Sequence, residues 1–123
     1  MIVGLGLDTV KVERFAPLTP RALDRMFTPD EQAWCENAQG AARLQRYAAR
    51  FAAKEAVAKA LGTGLGEGLG WKEIAVRHGE LGKPEAVLTG KALERMGSVG
   101  AARVLLSLTH EREFASAVAV LEA

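Results

Sequence analysis

The chain has 123 residues and a net charge of +1, and 49% of its residues are hydrophobic. This length predicts a single domain over residues 1–123, and the composition excludes a disordered chain, a collagen-like repeat and a coiled coil. The near-neutral charge argues against a general nucleic-acid binder. Cys35 is the only cysteine, which excludes an internal disulfide framework and a cysteine-rich zinc site.

The N-terminus and the hydropathy pattern predict a cytoplasmic protein. No apolar run approaches the ~20 residues that a membrane-spanning helix requires. Residues 1–8 (MIVGLGLD) lack the basic region and the cleavage site of a signal peptide. We therefore expect no membrane partner and no nucleic-acid partner.

The first predicted element is a strand over residues 2–12, which are rich in β-branched and apolar side chains. Alternation with a period of two places the Asp8 carboxylate on a face that is otherwise apolar or glycine-lined. The other members of that face are Ile2, Gly4, Gly6, Val10 and Val12. Two short helices are predicted next, one starting at Thr19-Pro20 and one with a capping box between Thr28 and Glu31.

Residues 41–61 (AARLQRYAARFAAKEAVAKAL) are predicted to form the longest helix. They are strong helix formers without internal glycine or proline, and Gly62 follows them. Glu55 interrupts the apolar face of this helix, whose other members are Leu44, Ala48, Phe51 and Ala58. Seven alanines between residues 48 and 60 would allow another backbone to approach closely.

The second half of the chain is predicted to mix loops, strands and one helix. Glycine occupies every second position from Gly62 to Gly70, which predicts a loop. Strands are predicted over residues 71–78, 85–88, 103–109 and 114–121, and a helix capped by Thr89 is predicted to run to Met96. Hairpin-linked strands mixed with helices, without a regular βαβ repeat, indicate an α+β fold.

Asp8 and Glu55 are two carboxylates on predicted core-facing surfaces, far apart in the sequence. Burying an unpaired charge is costly, so each carboxylate needs a partner or must stay protonated. One interpretation is a salt bridge from each to an arginine or lysine. The other is that both converge on Mg²⁺, which takes one or two carboxylates and completes its shell with water and phosphate oxygens. The spacing alone leaves both interpretations open.

The long helix is strongly basic between residues 43 and 59. Its basic residues are Arg43, Arg46, Arg50, Lys54 and Lys59, against the single acidic residue Glu55. The spacing of Arg46, Arg50 and Lys54 at intervals of four predicts one cationic surface. That surface is either a solvated face with a weak Glu55–Lys59 pair or an anion site beside a metal.

The glycine loop and the two histidines give weaker signals. Gly62-Thr63-Gly64 follows a helix, where the dipole end is negative, so these residues alone predict a helix stop rather than a phosphate loop. If the segment binds an anion, Lys59 and a metal must supply the positive charge. We expect His78 to be a surface residue and His110 to be a structural residue at a turn.

Taken together, the motifs resemble the holo-(acyl-carrier-protein) synthases, the small bacterial type of 4′-phosphopantetheinyl transferase. The resemblance spans nearly the whole chain, and its most specific part lies between Arg50 and Gly64. The matching segments are residues 4–8 (GLGLD), 50–56 (RFAAKEA), 59–64 (KALGTG), Trp71 with Ile74, 82–84 (GKP) and 107–110 (SLTH).

This resemblance implies an antiparallel sheet packed on one long and several short helices, in a homotrimer with active sites between neighbouring subunits. It implies that coenzyme A donates its 4′-phosphopantetheine arm to a serine of an apo acyl carrier protein, and that 3′,5′-ADP leaves. Asp8 and Glu55 would hold Mg²⁺, and Lys59 would neutralise phosphate charge. Whether Lys59 or a bound water or hydroxide takes the serine proton stays open.

The resemblance also implies the remaining binding residues. Arg50 and His110 would lie near the 3′-phosphate of coenzyme A, and Gly62-Thr63-Gly64 and the Gly82-Lys83-Pro84 turn would border the nucleotide. Lys83, Pro84 and His110 would face Asp8 and Glu55 of another copy, and Arg14, Arg21 and Arg25 would dock the acidic carrier protein. Two alternatives are a non-catalytic coenzyme A- or nucleotide-binding module and a Mg²⁺-dependent phosphohydrolase.

Overall fold

A three-stranded antiparallel sheet and a 22-residue helix form the centre of this fold. The computed structural model describes residues 1–66 and 68–123. In chain order, its elements are β1 (Ile2–Lys11), α1 (Pro20–Met26), α2 (Pro29–Glu36), α3 (Gly40–Leu61), β2 (Ile74–His78), β3 (Pro84–Leu88), α4 (Gly90–Ser98), β4 (Arg103–His110) and β5 (Phe114–Glu122). The strands of the main sheet lie in the order β1-β5-β4, and β2 pairs with β3. The predicted α+β class is confirmed.

Local capping patterns set the helix ends as predicted. The Thr19 hydroxyl accepts a hydrogen bond from the Ala22 N–H at 3.2 Å, which starts α1. At the start of α2, Thr28 and Glu31 each accept a hydrogen bond from the other's backbone N–H, at 3.2 Å and 2.9 Å. Gly62 ends α3 in the left-handed conformation, with φ of 82°.

Two strands are shorter than the sequence predicts. β1 ends at Lys11, because residues Val12–Phe15 form a 3-10 helix that buries Val12 and Phe15 in the core. The strand predicted over residues 71–78 begins at Ile74, after a 3-10 helix over Trp71–Glu73. The loop predicted over residues 62–70 is confirmed apart from its Leu65–Leu69 bridge, and Glu67 lies outside the described residues.

Helix α4 is capped by Glu73 and not by the predicted Thr89. Thr89 occupies the N-cap position, but its side chain makes no capping hydrogen bond within the described residues. Glu73 Oε1 instead accepts the Ala92 N–H at 3.1 Å. The helix also runs to Ser98, beyond the predicted end at Met96. A cap supplied from another segment leaves no local pattern in the sequence.

Two residues of the predicted cationic surface of α3 are buried, so the solvated-face interpretation is wrong for them. Lys54 is completely buried, and its ammonium pairs with Glu31 Oε1 of α2 at 2.8 Å. It also donates to the carbonyl oxygens of Trp71 and Ile74, at 3.0 Å and 2.6 Å. Arg50 is 4% exposed. The basic residues of α3 therefore divide between the core and two separate surfaces.

Strand β1 packs directly on the backbone of α3, as its glycines and the helix alanines allow. A Cβ on Gly6 would lie 1.8 Å from the Ala56 carbonyl oxygen, and one on Gly4 would lie 2.5 Å from that of Ala60. No side chain fits between the two elements at these positions. This contact fixes the next residue on the same face, Asp8, against the C-terminal half of α3.

The two faces of the main sheet have different environments. The face on α3 is buried through alternate residues of β5, namely Ala115, Ala117, Ala119 and Leu121. On the opposite face, Leu5, Val120 and Leu105 form one row across the three strands, and Leu5 is 66% exposed.

Among the described residues, no helix is long and apolar enough to span a membrane.

Candidate active site

Asp8 and Glu55 meet at the contact between β1 and α3, together with Lys59. Lys59 Nζ donates to Asp8 Oδ1 and to the Leu7 carbonyl oxygen, both at 3.0 Å. Lys59 pairs across to the strand, so the predicted Glu55–Lys59 helix pair is replaced by a tertiary one. We call Asp8, Glu55 and Lys59 the carboxylate cluster.

The two carboxylates of the cluster lie close enough to affect each other's charge. Burial, and then the charge of Asp8, raise the pKa of the half-buried Glu55 carboxyl above its ordinary value. Lys59 and Arg14 act in the opposite direction. Asp8 Oδ2 is buried and has no hydrogen-bond partner among the described residues. Among the described residues, Asp8 Oδ2 therefore lacks a partner, and burial and the Asp8 charge make ionisation of Glu55 less favourable.

These residues fit a hard divalent cation such as Mg²⁺. The orphaned Asp8 oxygen and the Glu55 carboxylate are two oxygen donors, and Mg²⁺ is commonly bound by one or two carboxylates plus waters and phosphate oxygens. Across residues 1–66 and 68–123, no group of three or more histidine, cysteine, aspartate or glutamate side chains could enclose a metal. Two carboxylates would give a bound Mg²⁺ only part of its oxygen ligands.

A second group of predicted residues lines a cavity of about 480 Å³, which we call the Arg50 cavity. Arg50, Lys83, Pro84 and His110 lie along its wall. The described lining residues include three cationic side chains, with Arg46 as the third, and no carboxylate. A cavity of this charge suits a phosphate-bearing ligand.

Sequence reasoning missed two features of this cavity: the presence of Trp34 in its wall and the contact of His78 with Arg50. The prediction that His78 lies at the surface is correct, but its Nδ1 is also 3.1 Å from Arg50 Nη2. The centroid of the His78 ring lies 4.1 Å from that of the Trp34 ring. The Arg46 guanidinium lies over the Trp34 ring, 3.9 Å from its centroid. These residues come from α2, α3 and β2, so no sequence spacing relates them.

The carboxylate cluster and the Arg50 cavity are separate within one chain. Arg50 and Glu55 are five residues apart on α3, which turns their side chains by about 140° around the helix axis. None of the carboxylate-cluster residues is among the described residues that line the cavity. The two groups of predicted site residues are therefore not brought together by a single copy.

The other predicted site residues lie at the surface. Gly62-Thr63-Gly64 directly follows the end of α3 at Leu61 and lies close to Arg95, which donates to the Leu61 carbonyl oxygen at 2.9 Å. The predicted docking residues are all exposed: Arg14 on the 3-10 helix, and Arg21 and Arg25 on α1. Arg14 also lies over the Phe51 ring and acts on the Glu55 charge, so it adjoins the carboxylate cluster.

Comparison with known proteins identifies the family. A sequence model of the 4′-phosphopantetheinyl transferase superfamily matches residues 4–119. The chain belongs to this superfamily. This transferase is 47% identical over 127 residues to the holo-[acyl-carrier-protein] synthase of Trichlorobacter lovleyi, covering 100% of this chain and 99% of the relative. It is 44% identical over 126 residues to that of Geobacter sulfurreducens, covering 99% and 98%. The resemblance inferred from the motifs is confirmed.

Solved structures support the same assignment. The fold of this transferase matches a holo-(acyl-carrier-protein) synthase of Bacillus anthracis in complex with CoA (3′,5′-ADP), with a TM-score of 0.84 and 34% identity over 100% of this chain and 98% of that one. It also matches the Helicobacter pylori synthase in complex with coenzyme A, with a TM-score of 0.79 and 27% identity over 96% and 99%. The predicted α+β fold of the chain and the predicted enzyme class are confirmed, while the homotrimer stays a prediction. The roles of individual residues and the metal remain predictions.

Proposed function

We propose that this protein transfers the 4′-phosphopantetheine arm of coenzyme A to a serine of an apo acyl carrier protein in a Mg²⁺-dependent reaction. The products are the holo carrier protein and 3′,5′-ADP. The observation that carries the proposal is the meeting of Asp8, Glu55 and Lys59 in a chain whose full-length relatives are holo-[acyl-carrier-protein] synthases. We also propose that the reaction takes place in the cytoplasm.

The carboxylate cluster and the Arg50 cavity would bind different parts of coenzyme A. Asp8 Oδ2 and Glu55 would hold Mg²⁺, which when bound withdraws charge from the diphosphate and stabilises the leaving phosphate. The Arg50 cavity would bind the nucleotide end, with Arg50 and His110 near the 3′-phosphate and Lys83-Pro84 alongside. The CoA complexes of the Bacillus anthracis and Helicobacter pylori relatives support this choice of donor.

In the reaction, the serine oxygen bonds to the phosphorus on the pantetheine side of the diphosphate, and the bridging P–O bond to 3′,5′-ADP breaks. The proton of the serine hydroxyl would pass to a bound water or hydroxide. Within residues 1–66 and 68–123, Lys59 uses two of its three N–H donors, on Asp8 and on the Leu7 carbonyl oxygen, and the third would donate to a phosphate oxygen. This residue orients and neutralises the diphosphate beside the two carboxylates. Catalysis is then mostly positioning and electrostatics, as in other phosphoryl transfers.

We infer that the complete site forms between copies of the chain in a homotrimer. The carboxylate cluster of one copy would then face the Arg50 cavity of the next, which accounts for their separation within a single chain. The row of Leu5, Val120 and Leu105, in which both leucines are exposed, supports this arrangement, because an apolar sheet face of this kind is typical of an interface.

The carrier protein would dock on Arg14, Arg21 and Arg25. The exposed guanidinium groups would attract an acidic partner over a distance and make association depend on salt. Because Arg14 adjoins Glu55, docking there would bring the acceptor serine to the carboxylate cluster. In Arg14→Glu we expect a higher KM for the carrier protein, with little change in the KM for coenzyme A.

The decisive experiment incubates the protein with Mg²⁺, coenzyme A and apo acyl carrier protein, and measures the carrier mass. A gain of one 4′-phosphopantetheine group is expected. Free nucleotide with an unmodified carrier would instead indicate a phosphohydrolase. Binding of coenzyme A without any reaction, across several carriers, would indicate a binding module.

The metal assignment is tested with Asp8→Asn and Glu55→Gln in the same assay. Each should lower the transfer rate by roughly a hundredfold or more, because each removes a charged ligand of the proposed cation. Glu94→Gln, on the exposed surface of α4, is the matched control and should leave the rate unchanged. Mg²⁺ should also raise the melting temperature of the wild type but not of Asp8→Asn. Unchanged turnover in both variants would overturn the assignment.

A further inference from the structure

Arg50 lines the Arg50 cavity with a buried guanidinium, and only some of its N–H donors have hydrogen-bond partners among the described residues. It is 4% exposed, and its Nε has no hydrogen-bond partner among the described residues. Its one side-chain hydrogen bond there joins Nη2 to His78 Nδ1 at 3.1 Å. Burying a charged group with a free donor is unfavourable unless a ligand supplies the acceptor. The arrangement therefore fits an anion that binds beside the His78 contact.

The contact fixes the protonation of His78. A guanidinium has no acceptor, so Nδ1 of His78 must accept the hydrogen bond, and the ring proton of the neutral imidazole lies on Nε2. Partial burial, and then the positive charges of Arg50 and Arg46, lower the pKa of His78 below its ordinary value. The Trp34 ring packs against the imidazole and limits its movement.

We propose that His78 is a positioning residue that holds the Arg50 guanidinium for the 3′-phosphate of the donor nucleotide. The identification of the ligand group as the 3′-phosphate rests on the proposed function. Three cationic side chains, those of Arg46, Arg50 and Lys83, line this cavity. His78 supplies a hydrogen-bond acceptor there that carries no charge. An acceptor of this kind orients Arg50 without neutralising it, so its full charge is left for the ligand. His78 itself need not touch the ligand.

The first test compares equilibrium binding of adenosine 3′,5′-bisphosphate and of 5′-AMP to the wild type, His78→Ala and His78→Asn. His78→Ala should weaken binding of the bisphosphate about tenfold, as expected for loss of a hydrogen bond to a charged group. Its binding of 5′-AMP should stay within twofold, since 5′-AMP lacks the 3′-phosphate. His78→Asn should restore most of the loss, because its amide oxygen replaces Nδ1 as acceptor. Equal losses for both nucleotides, or no rescue by Asn, would overturn the proposal.

A second test asks whether His78 acts through Arg50. In an Arg50→Ala background, His78→Ala should cause no further loss of bisphosphate affinity, because the group that it positions is gone. Arg77→Ala changes the neighbouring exposed residue of β2 and serves as the control for general effects on that strand. Additive losses in the double variant would show that His78 acts independently of Arg50 and would refute the positioning role.

Kinetics and spectroscopy separate this inference from the proposed function. If the wild type is a transferase, His78→Ala should raise the KM for coenzyme A with kcat nearly unchanged. If the wild type transfers nothing, the proposed function fails, while the nucleotide-binding tests still decide the role of His78. In both cases the ¹⁵N shifts of the wild-type His78 ring should report a proton on Nε2. A proton on Nδ1 would contradict the contact on which the proposal rests.

Discussion

The Ala56 carbonyl oxygen occupies the space where a side chain at Gly6 would begin. A Cβ there would lie 1.8 Å from that oxygen, which is a backbone atom of α3 and not the end of a flexible side chain. Gly6→Ala should therefore push β1 away from α3 and lower the free energy of unfolding by about 3 kcal/mol, as overpacking of a tight contact does. Urea unfolding monitored by circular dichroism measures this change.

Gly97→Ala is the matched control for that substitution. Gly97 lies in α4, and a Cβ at this position would meet nothing within 4 Å. Alanine favours the helix, so stability should rise by about 0.5 kcal/mol. If the two variants had similar stability, the close approach of β1 and α3 would not depend on glycine at position 6. Because Asp8 follows on the same strand face, Gly6→Ala should also weaken the proposed Mg²⁺ site.

Among the elements, α2, α3 and β2 are joined by the buried Lys54–Glu31 pair. Glu31 accepts hydrogen bonds from the backbone N–H groups of Thr28 and Val76, at 2.9 Å and 2.8 Å, while Lys54 neutralises its charge. Lys54→Met keeps the length of the side chain but leaves Glu31 as a buried, unpaired charge. The free energy of unfolding should fall by roughly 3–5 kcal/mol.

An exposed ion pair provides the comparison for Lys54→Met. Arg77 and Glu85 lie 3.4 Å apart on β2 and β3, and both side chains are largely exposed. Arg77→Met should cost less than about 1 kcal/mol, because water screens this pair. Equal losses in the two methionine variants would contradict a special role for the buried pair in joining these elements.

The packing of α2 on α3 also makes stability depend on pH in the alkaline range. Burial raises the pKa of Cys35 to about 12, from an ordinary value near 9, and burial and a hydrogen bond to Glu36 raise that of Tyr47. Above pH 9 the unfolded chain loses the Cys35 proton, and above pH 10 it loses the Tyr47 proton, while the folded chain keeps both. The stabilisation is therefore complete below pH 9 and falls as pH rises, by up to about 1.4 kcal/mol per pH unit for each group.

Cys35→Ala isolates the thiol contribution to this dependence. The variant begins from a different stability, but the slope of its unfolding free energy between pH 9 and pH 11 should be shallower than that of the wild type. Urea unfolding at several pH values in this interval gives both slopes. Parallel curves for the two proteins would show that the Cys35 thiol ionises equally in the folded and unfolded states.

The elements that could be predicted are those whose signals lie within a few residues. The capping box of Thr28 and Glu31 and the end of α3 at Gly62 are examples, and so is the long helix between them. The burial of Lys54 could not be predicted, because its partner Glu31 lies 23 positions away on a helix whose packing angle is a tertiary property. The resemblance supplied the pairing of Asp8 with Glu55, which spacing left open. It gave no hint of His78, whose contact with Arg50 spans 28 positions.

At the scale of the whole molecule, the apolar row on the exposed sheet face is where the proposed association of copies can be tested. Leu5 is 66% exposed at one edge of the row and Leu105 is 41% exposed at the other. Leu5→Glu should convert the proposed trimer to monomers and abolish transfer while preserving secondary structure, because a charge would be desolvated at the interface. Analytical ultracentrifugation measures the assembly. Leu93→Glu, at an exposed leucine of α4, should leave both assembly and transfer unchanged.

Mixing two inactive variants tests whether the site is shared between copies. Asp8→Asn removes part of the carboxylate cluster but leaves the Arg50 cavity intact, and Arg50→Ala does the reverse. In randomly mixed trimers of equal amounts, about a quarter of the interfaces would combine an intact cluster with an intact cavity. At subsaturating coenzyme A, transfer should return to about a quarter of the wild-type rate after the two chains are unfolded and refolded together. A site built within one chain would leave the mixture as inactive as its components, since every chain then carries one defect.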